Sequence, residues 1–112
     1  MQKKKLLVFY SVKAKFIENK MGEFYQKLTD GTIKNQKPDG EEIINSMKRA
    51  KITKPNVIQW SEMCFCPTPL QHERETIYDN YLTDMETIKI DDYVEYAGEF
   101  FMDFLAKNKE QP

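Results

Sequence analysis

Nine residues near the start, 4–12 (Lys-Leu-Leu-Val-Phe-Tyr-Ser-Val-Lys), place apolar or aromatic side chains on both alternating faces. A strand of that kind has to be covered on both sides, so it belongs in the middle of a sheet. The rest of the chain must then supply strands beside it and elements above and below it. A chain of 112 residues can do this as one domain, without disulfide or metal staples.

Downstream the period changes. Ile17, Met21, Phe24, Tyr25 and Leu28 recur at helical spacing and Asp30-Gly31 supplies a stop, which predicts a helix over 15–29. A polar loop over 31–40 ends in the turn sequence Pro38-Asp39-Gly40. Asp39 with Glu42 resembles a capping pair, opening a second helix over 40–51 with the stripe Ile43, Ile44 and Met47. Lys54-Pro55-Asn56 breaks the chain again.

Residues 56–65 read as a second strand, with Ile58, Trp60, Glu62 and Cys64 on one face. Thr68 is an expected N-cap and Pro69 suits a first helical position. The helix they open spans 69–82 and carries Leu70, Ile77, Tyr78, Tyr81 and Leu82. Residues 85–90 form a short third strand. Asp92 with Glu95 then caps a fourth helix that runs to Leu105. In that helix Glu95, Glu99 and Asp103 make an acidic row, which needs lysines opposite it. Its aromatic face, centred on Phe100, Phe101 and Phe104, is too large to leave in water. The expected fold is α/β or α+β, a small three-stranded sheet with packed helices in the order β-α-α-β-α-β-α. One compact domain should span 1–107, with 108–112 a frayed tail.

The net charge of −1 conceals an asymmetry: residues 1–55 hold 13 Lys+Arg and 6 Asp+Glu, whereas 56–112 hold 4 and 12. In one domain the halves interleave and neutralise each other; if they do not, the resulting polar molecule favours self-association as a homodimer. A pI near 5.9 disfavours nucleic acid as a partner. No apolar run approaches the roughly 20 residues of a membrane helix, and the basic start lacks a signal-peptide core, so a cytoplasmic location is expected.

The segment 60–75 concentrates the unusual chemistry: both cysteines, the only tryptophan and the only histidine. Trp60, Glu62, Cys64, Cys66 and His72 form the candidate binding or reactive cluster. Cysteines one residue apart are badly placed to bridge, so reduced thiols are expected. Their spacing is not that of a structural zinc site, and no glycine-rich loop cradles a phosphate, so neither a metal nor a cofactor is expected. Glu62, on a largely apolar strand face, needs a partner if buried, and Arg74 or the N-terminal lysines are candidates. Two functions follow. One is a small binding or interaction domain of unassigned ligand. The other is a thiol-dependent enzyme or redox protein using Cys66, with Cys64 and His72 in support.

Overall fold

The computed structural model describes residues 8–64 and 70–108. Five strands are present: β1 (Val8–Phe16), β2 (Lys51–Lys54), β3 (Val57–Cys64), β4 (Leu82–Ile90) and β5 (Glu99–Phe100). The helices are α1 (Met21–Thr29), preceded by a 3-10 turn at Glu18–Lys20, α2 (Gly40–Arg49), α3 over 71–81, and α4 (Phe101–Asn108). The sheet order is β4-β1-β3-β2-β5 and every neighbouring pair is antiparallel. The first four strands and their helices follow the split β-α-β-β-α-β pattern. The molecule is therefore α+β.

β1 is central, flanked by β3 and β4. Its register sets Val12 opposite Trp60 and Ala14 opposite Ile58. These residues form the inner face of the sheet. Phe24 and Leu28 of α1, Ile43 and Met47 of α2, Ile77 and Tyr78 of α3, and Phe101 and Leu105 of α4 complete one core cluster with them. Full burial of one such side chain contributes about 1.5–3 kcal/mol.

The outer face is crossed by residues 91–98, which leave β4 at one edge and deliver β5 to β2 at the other. Ser61 Oγ donates to Val94 O and accepts from Val94 N, both at 3.0 Å. Lys51 Nζ donates to Tyr96 O at 2.8 Å, and the Ser11 and Tyr96 hydroxyls are hydrogen-bonded. Tyr93 meets Phe9 edge-on at 5.0 Å. This strap gives β1 its second cover.

β2 is too short to pair with the far half of β3. Backbone groups left there need other partners. Arg49 Nη2 donates to Ser61 O at 2.7 Å, and Met63 N donates to Glu42 Oε2 at 3.0 Å. The Glu42–Arg49 ion pair on α2 thus continues the ladder where β2 stops.

Several expectations require correction. The sheet has five strands rather than three. The helix expected over 40–51 ends at Arg49 and Lys51 opens β2 instead; Pro55-Asn56, expected as a chain break, is the two-residue turn of a β2–β3 hairpin, with Asn56 at φ 63°. β1 runs on to Phe16, so α1 starts six residues later than expected. Residues 92–100 are not helical. Glu99 lies in β5 and pairs with Lys107 at 2.7 Å, so no acidic row faces the N-terminal lysines. The buried aromatic of α4 is Phe101, while Phe100 is 48% exposed. Asp39 makes no side-chain cap to α2. Thr68 and Pro69 lie outside the described residues. Lys13–Glu86 and Lys15–Asp84 pairs do join the basic and acidic halves within one sheet.

Gly98 makes the strap's last bend. Its φ is +145°, and a Cβ there would lie 2.2 Å from Ile52 O. Gly98→Ala should therefore cost at least about 2 kcal/mol, through strain and a backbone clash. A lowered urea midpoint at unchanged slope is the expected result; an unchanged midpoint would mean that the strap is not held as described.

Candidate functional site

The period of β3 points Trp60, Glu62 and Cys64 inward, beneath α3. Glu62 has no solvent exposure. Its Oε1 accepts from Trp60 Nε1 at 2.7 Å and from Tyr78 O–H at 2.8 Å. Its Oε2 is buried and receives no hydrogen bond. The group that faces it is a second carboxyl, Glu73 of α3. Glu73 is 2% exposed, and its Oε1 is likewise buried without a donor.

The local fold of α3 creates this pairing. Leu70 enters in the left-handed region at φ 54°, fully buried. An α turn (Gln71–Glu73) passes into a π-helical turn (Arg74–Tyr78) and back to α (Asp79–Tyr81). In a regular α-helix Tyr78 would sit roughly 140° round from Glu73. The wider π turn brings residues five apart onto one face. Glu73, Ile77 and Tyr78 are consequently all buried. Such turns recur at functional sites.

Burial pushes the Glu62 carboxyl well above the ordinary range, and the charge of Glu73 adds to that; the Trp60 and Tyr78 donors oppose it only in part. Glu73 is raised as well, first by burial, with the charge of Asp39 contributing. It lies nearer the periphery than Glu62, so Glu62 is the carboxyl that holds the proton. One proton between Glu62 Oε2 and Glu73 Oε1 satisfies both atoms, as in other close carboxyl pairs. Tyr78 is raised strongly by burial and by Glu62, so its hydroxyl stays a donor.

At the rim, His72 Nδ1 lies 2.6 Å from Asp39 Oδ2. The His72 side chain is 40% exposed and Asp39 13%. Asp39 raises the His72 pKa, chiefly through the hydrogen bond. The loop aspartate expected to cap α2 instead anchors α3.

Of the sequence-derived cluster, Trp60 and Glu62 are in direct contact, and His72 is the chain neighbour of Glu73. Cys64 is buried farther along β3. Cys66 lies outside the described residues. Among the described residues Glu62 pairs with neither Arg74 nor a lysine. Arg74 turns to Asp79 at 4.0 Å instead. Glu73, Tyr78 and Asp39 join the site without having been singled out. Glu73 was readable in one respect: it lies three residues after Leu70 and four before Ile77, within the buried stripe of its helix.

The chain matches no family model, no curated protein and no solved structure.

Proposed function

We propose that this chain is a small-ligand-binding domain whose ligand engages the Glu62–Glu73 carboxyl pair from the His72–Asp39 side. One observation carries the reading: Glu62 Oε2 and Glu73 Oε1 are both buried with no N–H or hydroxyl donor from another described residue, so that only a proton held between the two carboxyls satisfies them. Ionising both members of such a pair is costly, because the second charge would be buried without a partner. Structural carboxyls are ordinarily given a basic partner, and here the charged group that acts on Glu62 is another acid. Carboxyls whose pKa values are raised by burial and like charge are common at functional sites, which supports the reading. The thiol reading depends on Cys66, outside the described residues, so the carboxyl pair carries the proposal. A cytoplasmic location is part of the same proposal, supported by a helix set in which none of the described helices is long and apolar enough to cross a membrane.

Thermal-shift screening of small molecules against wild type, Glu62→Gln and Glu73→Gln tests it. The expected result is a class of compounds that stabilises wild type and loses its effect in both variants. A screen whose hits act equally on all three proteins contradicts the reading.

A further inference from the structure

The sheet has two unlike edges. β5 is two residues long, which blunts its edge, whereas β4 has nine residues and is the outermost strand on the other side. Alternate residues of β4 direct their N–H and C=O groups away from β1, and no described strand receives them. We propose that this edge pairs with the same edge of a second copy of the chain, antiparallel and centred on Ile88, so that two five-stranded sheets become one.

The usable part of the edge is its second half. The β1–β4 register slips between Lys13 and Lys15, and Asp84 beside the slip has φ 54°. A bulge of that kind protects an edge from pairing. From Glu86 to Ile90 the register with β1 is unbroken, and Glu86, Ile88 and Lys89 are exposed. Glu86, Ile88 and Ile90 stand opposite Lys13, Ser11 and Phe9, so they share the outer face on which the strap lies. The strap stops short of Ile88, which is 65% exposed, more than any other large apolar side chain among the described residues.

Charge selects the occupant and the register. In a two-fold antiparallel pairing, opposite residues share a face, so the axis passes through one residue paired with itself. Centring on Glu86 or Lys89 sets like charges opposite each other, and centring on Met85 sets Asp84 against Glu86. Centring on Thr87 draws Asp84 and its bulge into the ladder. Centring on Ile90 recruits residues 91–92, which have left the strand. Centring on Ile88 sets Ile88 against itself, Glu86 against Ile90 and Thr87 against Lys89. No like charges then meet, and Ile88 and Ile90 of both copies form one apolar cluster. Glu86 keeps the charge of Lys13 in its own chain at 3.8 Å. The segment Glu-Thr-Ile-Lys-Ile carries one acid and one base, so it does not repel its own copy. Five paired residues a side make a small interface, so the dimer is weak and concentration-dependent.

Sedimentation equilibrium of the full chain up to millimolar concentration tests the proposal, and a monomer–dimer equilibrium is the expected result. Ile88→Lys places two ammonium groups at the axis and should weaken the dimer by about tenfold or more. Val94→Lys, at an exposed strap position over β3, should dimerise as wild type does. Thermal melts confirm that both variants are folded. The register is read by cross-linking. Ile88→Cys should form an intermolecular disulfide at position 88 under mild oxidation, because opposite Cα atoms stand about 4.5–5.5 Å apart. Asp84→Cys should form none, since in this register it lies roughly 26 Å from its counterpart. A monomer at every concentration overturns the proposal. So does a dimer that Ile88→Lys leaves intact, one that Val94→Lys weakens as much, or one cross-linked at position 84 and not at 88.

Discussion

Glu62→Ala should be among the most damaging single substitutions in this chain, whereas Glu62→Gln should be tolerated or stabilising. Alanine removes the acceptor that holds Trp60 Nε1–H and Tyr78 O–H. Two buried donors are then stranded, at about 1–3 kcal/mol each, and a cavity is left beside them. Glutamine keeps the oxygen both donors use. Its amide nitrogen takes the place of Oε2 and can donate to Glu73 Oε1. No shared proton is then needed.

The sign of the pH effect follows from the raised Glu62 pKa. The folded state holds this proton to higher pH than the unfolded chain does. Between the ordinary carboxylate value and the raised one, the folded state binds more protons, so stability falls as pH rises through that window. Above the raised value the penalty is fully present. Glu62→Gln should remove the Glu62 share of this loss, so its advantage over wild type should grow with pH. Urea denaturation of the three proteins across a pH series checks this. A glutamine variant as unstable as the alanine variant would contradict it.

Phe101→Ala should cost about 3–5 kcal/mol, the range for a fully buried phenylalanine. Phe101 has no exposure. Its ring lies 5.6 Å from that of Phe16 on β1 and 6.3 Å from that of Phe24 on α1. It therefore joins the last helix to both the sheet and the first helix. α4 has eight residues and is too short to persist without docking. Ending the chain at Glu95 removes this helix, β5 and the end of the strap, and the product should lose cooperative unfolding. Phe100→Ala, by contrast, should cost far less, because Phe100 is 48% exposed and lies under Lys51 at 4.4 Å. Equal losses for the two phenylalanines would overturn this account of the core.

What the sequence made legible follows the range of the forces involved. β1 and β3 are readable because their alternation is local, and so is the helical stripe of α2. The inward placing of Trp60, Glu62 and Cys64 follows from the two-residue period alone. β2 escaped because Ile52 is its one apolar residue, although Pro55-Asn56 is itself a hairpin turn. The strap escaped for a different reason. Asp92, Glu95 and the following aromatics match the local pattern of a capped helix, and Gly98 is the one local sign against it. The partners that hold the segment extended, Ser11, Lys51 and Ser61, are long-range contacts made through hydroxyls, an ammonium and backbone groups. The π turn of α3 is also illegible from local spacing. It brings Tyr78 and Glu73 onto one buried face of the helix.

Carbon-13 NMR of the glutamate side-chain carboxyls across pH tests the central claim most directly, that Glu62 and Glu73 share one proton inside the fold. The Glu62 carboxyl should stay protonated well above the ordinary range near 4.3. Its midpoint should change in Glu73→Gln, since the like charge and the shared proton are both removed. If Glu62 and Glu73 each titrate in the ordinary range in the folded protein, the pair is solvated and the proposed site does not exist.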